Sequence, residues 1–450
     1  MNLIFIVSDT LRADYLGCYG NKWIKTPNID RFAQESVLFE NCYVEGLPTI
    51  PERIVFFTGK FTLPWRGWQP LWDHDIEISK ILGRSGFWGV QTIGSGDYIN
   101  AMITDTYHFW GPGMNFHRAF HCFRWIRGQE FDHYVTNPKM GIDPRMHFRP
   151  EWKVEEKKLS RSLRSLLQYA GNNANRESEE DYLPAKVMKE GMKWLEGNCD
   201  DKFFLYIDCF DPHEPWDPPD FYYKMYSNPK YDGPKLIWAG IAHEICGGLS
   251  EEELHEAKAL YAGEISLVDH WIGELIHKIE RLGLMSDTLI VFTSDHGTCL
   301  AERGKIGKGP HGRSEVYRVP LLIHHPDGPK GKRIKQLVWT PDLMPTILDI
   351  LGVEIPNTVH GESFWSLITG EKETHREYIV AGWRDFGSYY VRDEEWSYVH
   401  DSAGKAKDEL YNIKEDPEEK VNLVSKYPKK AEEMKKKLSE FLLNAKKLKN

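Results

Sequence analysis

The stretch LIFIVSDT, residues 3–10, is a continuous apolar run that stops abruptly at three polar residues. Such a run is typical of a parallel strand that is buried on both faces. The same pattern recurs in FFLYIDCFD, residues 203–211, and in TLIVFTSDH, residues 288–296. Ligands bind outside the carboxyl ends of strands in open α/β sheets, so we expect the polar residues after the three strands to converge on one site.

The segments around these strands predict the rest of an α/β fold. Between the second and third strands, apolar residues recur in steps of three and four from Tyr261 to Ile279, which indicates a crossover helix that covers the sheet. After about residue 370, short apolar runs at 378–383, 389–392 and 396–400 are separated by turns. This change predicts a main domain at 1–370 and a C-terminal subdomain at 371–450, built on a smaller antiparallel sheet.

Two further segments are interpreted from their composition. The Lys-rich tail places Ala431, Met434, Leu438 and Phe441 on one helical face, which favours a packing helix over a membrane or partner helix. Residues 110–180 are rich in aromatic residues and lack periodicity. We interpret them as an insertion that shapes a pocket or an oligomer contact, so a homo-oligomer is one expectation.

Composition limits the class of protein. The 450 residues are 41% apolar and carry a net charge of -10, which is ordinary for a soluble globular protein and argues against a nucleic-acid surface. No apolar run approaches the roughly 20 residues that span a bilayer, and the first residues lack the features of a signal peptide. Seven scattered cysteines without a CxxC pair indicate reduced thiols. We therefore expect a cytoplasmic protein that binds neither nucleic acid nor membrane.

Thr49, in the segment LPTIPERIVFFTG at residues 47–59, has two interpretations. Thr49 can be a helix N-cap, with Glu52 completing a capping box and Gly59 ending the helix. Alternatively, its hydroxyl lies exposed at a helix N-terminus, where partial positive charge attracts anions, and acts as a nucleophile.

Asp9, Asp295 and His296 follow predicted strands and offer carboxylate and imidazole ligands. This mixture suits Ca, Mg, Mn or Zn. Each residue alone also has a structural explanation, since Asp9 can cap a helix and the DHG sequence can form a turn. Together with Thr49, however, the three residues form a recognisable set.

The chain resembles the sulfatase branch of the alkaline phosphatase superfamily almost from end to end. The matching segments are residues 4–21, 26–43, 49–59, 211–219, 291–297, 305–310, 318–323, 359–370 and 408–423. The resemblance implies an alkaline-phosphatase-like α/β/α sandwich with a large mixed, mostly parallel sheet. It also implies a metal-dependent ester hydrolase whose partner is a small anionic ester.

The resemblance implies one divalent metal ion, Mn, Ca, Zn or Mg, bound by Asp9, Asp295, His296 and the Thr49 oxygen. The two-metal members of the superfamily need an additional Asp and two His. Candidates for these positions are Asp208, Asp211, His311 and His360. One metal is favoured, because the family's lysine, here Lys308, usually occupies the space of the second ion.

The resemblance also implies catalytic roles. Thr49 would be the nucleophile, and the residues at the other matching positions are Arg53, His213, Lys308, His108 and Thr106. Arg53 and the helix N-terminus would stabilise the developing anion. Lys308, with His108 and Thr106, would hold the nonbridging oxygens, and His213 would protonate the leaving group or activate water.

Three departures from the sulfatase pattern bear on the reaction. Sulfatases of this family convert a Cys or Ser to formylglycine, an aldehyde that Thr49 cannot supply, whereas phosphodiesterase relatives use a metal-bound Thr to attack phosphorus. Thr10 replaces the second Asp of the family's DD pair, as in the phosphonate monoester hydrolase branch. The lysine of the GKxH motif is missing in both candidate matches, residues 94–97 and the preferred 105–108. A monoanionic ester is therefore favoured on charge grounds.

Three hypotheses for function follow. The favoured one is a hydrolase of phosphodiesters or phosphonate monoesters that uses Thr49 as the metal-bound nucleophile. The second is a sulfuric ester hydrolase that acts without formylglycine. The third is a catalytically silent binding protein, which is disfavoured because buried charges without a metal cost stability.

Overall fold

The computed structural model describes residues 1–85, 96–111, 113–136, 147, 156–246, 248–310 and 312–448. Its strands in chain order are β1 (Asn2–Ser8), β2 (Val37–Tyr43), β3 (Ile99–Thr104), β4 (Cys122–Trp125), β5 (Phe203–Cys209), β6 (Thr288–Thr293), β7 (Cys299–Leu300), β8 (Ile306–Gly307), β9 (Arg318–Val319), β10 (Leu321–His324), β11 (Arg333–Trp339), β12 (Tyr378–Trp383), β13 (Ser388–Asp393), β14 (Trp396–Asp401) and β15 (Glu409–Asn412).

The helices in chain order are α1 (Pro27–Gln34), α2 (Thr49–Thr58), α3 (Ile78–Leu82), α4 (Glu156–Asn172), α5 (Leu183–Asn198), α6 (Asp220–Lys224), α7 (Ala239–Cys246), α8 (Glu251–Arg281), α9 (Ser314–Tyr317), α10 (Leu343–Ile350), α11 (Trp365–Thr369) and α12 (Pro428–Ala445). Within the described ranges, none of them is long and apolar enough to cross a bilayer.

The three predicted strands are neighbours at the centre of one large sheet. The strand order is β11-β2-β10-β6-β1-β5-β3-β4, with β9 paired to β2. β1 pairs in parallel with both β5 and β6, while β10 and β9 run antiparallel to their partners. The prediction of a mixed, mostly parallel sheet is confirmed.

Burial of β1 on both faces explains its continuous apolar sequence. Leu3, Phe5 and Val7 face one hydrophobic core, which also contains residues of α2, α10 and α12. Ile4 and Ile6 face a second core, which contains residues of α1, α5 and α8. Alternate residues of a strand point to opposite faces, so helices cover the sheet on both sides. The predicted α/β/α sandwich is confirmed.

The predicted crossover helix is α8, which packs in the second core. Ser250 caps its start, and the Glu253 side chain returns a hydrogen bond to the Ser250 backbone. This reciprocal pair satisfies two backbone N–H groups that would otherwise lack partners.

The predicted C-terminal sheet is also present. Strands β12 to β15 form a four-stranded antiparallel sheet, and α12 buries the predicted face, including Met434 and Leu438. Phe441 stacks edge-on against Trp339 at 5.4 Å, so this helix joins the core of the large sheet. The predicted boundary at residue 370 lies between α11 and β12.

Residues 110–180 contribute directly to the large sheet where they are described. β4 pairs in parallel with β3 as the edge strand, and α4 follows later. Residues 112, 137–146 and 148–155 of this segment lie outside the described residues. The edge strand was not expected, because its four residues, CFRW, are too few to show a clear periodicity.

Candidate active site

The ends of β5, β1 and β6 meet around one buried arginine. Arg53, in the second turn of α2, is fully buried. Its Nε and Nη2 donate to Asp208 at 3.1 and 3.0 Å, Nη2 lies 3.2 Å from Asp9, and Nη1 pairs with Asp295. One guanidinium thus links carboxylates from three strand ends, as the convergence of these strands predicted.

Asp9, Asp295 and His296 form a cluster that can hold a metal ion. One potential ligand atom from each residue lies within 4.8 Å of the others, and all three side chains are buried. His296 Nε2 lies 3.2 Å from Asp295 Oδ2 and 3.9 Å from Asp9 Oδ1. The Nε2 atom of His296 has no hydrogen-bond partner among the described residues.

The chemistry of this cluster fits a divalent cation. Burial, followed by the charge of Lys308, holds the pKa of His296 well below its ordinary value, so the ring is neutral and has a lone pair to share. Two carboxylates and one imidazole are ligands that Mn, Ca, Zn and Mg all accept to different degrees. The orphaned Nε2 beside two carboxylate oxygens is the observation that supports metal binding.

Thr10 replaces an acidic residue of the family pattern with a neutral hydroxyl. Its Oγ1 donates to Asp9 Oδ1 at 2.6 Å and accepts from Lys308 Nζ at 3.4 Å, while its backbone N–H donates to Asp295 Oδ1 at 3.0 Å. Its φ of 63° is in the left-handed region, which is uncommon for a β-branched residue. The backbone turn lets Thr10 contact both metal-binding carboxylates.

The structure corrects the capping-box interpretation of Thr49. Pro48 is the N-cap residue, and Thr49 is the first residue of α2. Glu52 Oε2 accepts hydrogen bonds from the N–H groups of Glu45 and Gly46, each at 3.0 Å, because the preceding loop folds back over the helix start. The expectation that Gly59 ends the helix is confirmed by its φ of 61°.

The Thr49 hydroxyl is directed toward the metal cluster. Its Oγ1 lies 3.4 Å from Asp9 Oδ2. The residue is only 2% exposed, so the expectation of an exposed hydroxyl was wrong. Thr49 does not cap the helix. Its place at the start of α2 brings its hydroxyl beside Asp9 instead.

His213 and His108 lie on either side of one carboxylate. Glu130 Oε2 is 3.3 Å from His108 Nε2, and Glu130 Oε1 is 3.7 Å from His213 Nδ1. His213 Nδ1 also lies 2.7 Å from the carbonyl oxygen of Glu214, and the His213 ring stacks on Phe210 at 4.2 Å. The structure therefore brings together two histidines that the sequence placed more than 100 residues apart.

Thr106 contacts Asp208, the bidentate partner of Arg53. Its Oγ1 donates to Asp208 Oδ1 at 2.6 Å, and Tyr206 donates to the other carboxylate oxygen at 2.9 Å. A contact between Thr106 and an ester oxygen stays a prediction. To make it by donating, Thr106 would have to give up its hydrogen bond to Asp208. The predicted role of Arg53 toward an anion likewise competes with its three carboxylate partners.

The described candidates for a second metal, Asp208, Asp211 and His360, do not form a cluster. Asp208 binds Arg53, and Asp211 Oδ1 accepts from Gln129 at 2.7 Å. The His360 ring packs against Phe61 in a tilted arrangement, and its Nδ1 accepts from the Phe61 N–H. His311 lies outside the described residues. In the part of the chain that the structure describes, the one candidate cluster is that of Asp9, Asp295 and His296.

Glu130 was missed by the sequence reasoning. It lies in the aperiodic segment after β4, far in sequence from His108 and His213 and outside every motif match. Only the pairing of β4 with β3 brings this segment to the ends of β3 and β5.

Comparisons with known proteins agree with this architecture. The family model described as Sulfatase matches residues 1–353, and the model described as N-sulphoglucosamine sulphohydrolase, C-terminal, matches residues 312–447. An arylsulfatase of Clostridium perfringens is 27% identical, over 94% of this chain and 90% of that protein. A multifunctional alkaline phosphatase superfamily protein of Trinickia caryophylli is 24% identical, over 94% of this chain and 91% of that protein.

Solved structures show the same fold. The phosphonate monoester hydrolase of Agrobacterium radiobacter aligns with a TM-score of 0.72 at 23% identity, covering 99% of this chain and 96% of that chain. A second structure, BT4656 in complex with its substrate D-glucosamine-2-N,6-O-disulfate, aligns with a TM-score of 0.71 at 21% identity, covering 99% and 98%. With the family model spanning more than three quarters of the sequence, the chain belongs to the sulfatase family and is an ester hydrolase.

Proposed function

We propose that this protein is a metal-dependent hydrolase of phosphodiesters or phosphonate monoesters, with Thr49 as the nucleophile. The observation that supports this most strongly is the position of the Thr49 hydroxyl, 3.4 Å from Asp9 at the edge of the candidate metal cluster. A threonine side chain offers a nucleophilic oxygen but cannot become formylglycine. A phosphoryl intermediate on Thr49 can be hydrolysed by water in a second step.

The residues of the chain divide the work of this reaction. A divalent ion bound by Asp9, Asp295, His296 and the Thr49 oxygen would supply Lewis acidity and a low-pKa hydroxyl. Arg53 holds both carboxylates of this set in place. Lys308 lies within 3.4 Å of Thr10 and thus beside the cluster, where its ammonium can bind a nonbridging oxygen. His213 can protonate the leaving group.

Charge favours a monoanionic ester. The lysine of the GKxH motif is absent. In addition, the ionisable Glu130 lies within salt-bridge distance of both site histidines. Fewer cations and one more carboxylate disfavour a dianionic phosphate monoester.

A sulfuric ester hydrolase without formylglycine is the second candidate. Its support is the family itself and the arylsulfatase of Clostridium perfringens. In that case Thr49 would serve only to bind the metal, and water would attack sulfur.

A substrate panel separates the two candidates. Purified protein is analysed for bound metal and then assayed with nitrophenyl esters of sulfate, phosphate, a phosphodiester and a phosphonate, as wild type and Thr49→Ala. We expect phosphodiesterase or phosphonate esterase activity that Thr49→Ala lacks. Sulfatase activity that survives Thr49→Ala, with no phosphodiesterase activity in the wild type, would refute the proposal.

Replacement of Lys308 by methionine tests the anion-binding role. The loss of a charge-assisted hydrogen bond worth about 1.5–3 kcal/mol is expected to lower kcat/KM by roughly 10- to 100-fold. Lys305→Met is the matched control, since Lys305 is an exposed residue of the same β7–β8 hairpin. Equal kinetic effects of both substitutions, or an equal loss of stability and activity in Lys308→Met, would contradict this role.

A further inference from the structure

Glu130 is a buried carboxylate that contacts two histidines of the proposed site. The residue is 5% exposed, and its backbone φ of 40° is in the left-handed region. A non-glycine residue in that region costs free energy, and the surrounding structure must compensate for it. Here the compensation includes the neighbouring Gln129, whose Nε2 donates to Asp105 at 3.1 Å and to Asp211 at 2.7 Å.

These two hydrogen bonds attach the Glu130 segment to the ends of the central strands. Asp105 directly follows β3, and Asp211 lies two residues beyond β5. Asp105 is in turn bonded to the Phe210 N–H at 2.7 Å, and Phe210 stacks on the His213 ring. The position of Glu130 relative to His213 is therefore fixed by contacts on both sides.

The carboxylate of Glu130 is ionised. Burial raises its pKa, but the close contact with His108 at 3.3 Å, followed by the charges of His213 and Lys308, brings its pKa below the ordinary value. A buried carboxylate that stays charged favours a positive charge on the rings beside it.

The contacts of His213 leave one ring nitrogen for substrate. Nδ1 lies 2.7 Å from the Glu214 carbonyl oxygen. A carbonyl oxygen only accepts, so Nδ1 carries the hydrogen of this bond. The same nitrogen lies 3.4 Å from Glu214 Oε2 and 3.7 Å from Glu130 Oε1. Because Nδ1 is occupied, Nε2 is the atom that can exchange a proton with the substrate.

We propose that Glu130 is a positioning residue that holds His108 and His213 in the orientation in which His213 Nε2 can pass a proton to the leaving group. This inference rests on the proposed function. The Thr49 hydroxyl first loses its proton to solvent. As the Oγ–P bond then forms and the P–O bond to the leaving group breaks, the electron pair stays on the leaving oxygen. The proton on His213 Nε2 then moves to that oxygen, and the water that hydrolyses the Thr49 ester returns a proton to Nε2.

Another charged group acts on His213 together with Glu130. Glu214 is a second carboxylate beside the ring, with its Oε2 3.4 Å from His213 Nδ1. Glu130 differs from Glu214 in contacting His108 as well. Its removal should therefore affect both histidines.

The test compares wild type with Glu130→Gln, which keeps the size and hydrogen-bonding reach of the side chain but removes its charge. The assay is a series of esters whose leaving groups range from nitrophenol to simple alcohols. We expect Glu130→Gln to lose at least about tenfold in kcat for alcohol leaving groups and little for nitrophenol, which leaves without a proton.

Three controls keep the test decisive. Glu180→Gln, on the surface at 63% side-chain exposure, should match wild type in every assay. Nitrogen-15 spectra of histidine-labelled protein, with His213 assigned from His213→Asn, should show that the environment of the His213 ring changes between wild type and Glu130→Gln. If Glu130→Gln fails to fold, Glu130→Asp, which keeps the charge but withdraws the carboxylate from both rings, is assayed instead, and a wild-type kcat for alcohol leaving groups in that variant would overturn the inference.

An equal loss of activity for all leaving groups would also overturn the inference and assign Glu130 a purely structural role. If wild type cleaves only sulfate esters, the proposed function fails, and the same leaving-group series is run with sulfate esters. Failure of the proposed function is thus seen in the wild-type enzyme, whereas failure of the Glu130 inference is seen in Glu130→Gln.

Discussion

Replacing Thr49 with alanine is expected to abolish turnover, with a loss on the order of 10⁴-fold or more, because the reaction loses its nucleophile. Serine at this position should keep substantial activity, since it retains a hydroxyl at the same helix start. The stability cost of alanine should be only about 1 kcal/mol, because the one hydrogen bond lost is the 3.4 Å contact with Asp9. Steady-state kinetics and denaturant unfolding of both variants measure these effects.

Thr58→Ala is the matched control in the same helix. Thr58 is equally buried, but its hydroxyl donates to the Ile54 carbonyl at 2.7 Å at the far end of α2. This variant should lose about 1 kcal/mol of stability and keep its activity. Retention of more than about a tenth of wild-type turnover by Thr49→Ala would rule out a nucleophilic role.

The second large effect is expected at Arg53. Arg53→Met should lower the free energy of unfolding by about 3–5 kcal/mol, because it leaves the buried carboxylates of Asp9, Asp208 and Asp295 without their shared cation. Denaturant unfolding in the presence of a chelator measures this loss. Added divalent metal should restore part of it, since an ion that binds Asp9 and Asp295 replaces some of the lost positive charge.

Arg84→Met provides the control for an exposed ion pair. Arg84 lies 3.2 Å from Asp201, with side chains 42% and 45% exposed, so its loss should change stability by at most about 1 kcal/mol. If Arg53→Met is no more destabilising than Arg84→Met, Arg53 does not hold the three strand ends together.

The central strands and the metal cluster were predictable because their signals are local. A run such as LIFIV must be buried on both faces, and the polar residue that follows it must lie at the sheet edge. Three such runs therefore predicted both the parallel sheet and the meeting of Asp9, Asp295 and His296. The helical face of α12 was predictable from its spacing for the same reason.

The sequence could not predict contacts that depend on how loops fold back. Glu52 has the spacing of a capping box, yet it accepts from Glu45 and Gly46 because the preceding loop brings those N–H groups closer. Glu130 reaches the site only through the short strand β4. The role of Asp208 as the bidentate partner of Arg53 likewise requires the three-dimensional arrangement. A cytoplasmic location and a homo-oligomer stay predictions.

Trapping the covalent intermediate tests the nucleophilic role of Thr49 most directly. The enzyme is mixed with a nitrophenyl phosphonate or phosphodiester, quenched in acid within one turnover, digested and analysed by mass spectrometry. We predict a phosphonyl or phosphoryl ester on Thr49, in the peptide that contains Arg53, and its absence from Thr49→Ala. Turnover of these esters without any modification of Thr49, or with the group on another residue, would contradict the account.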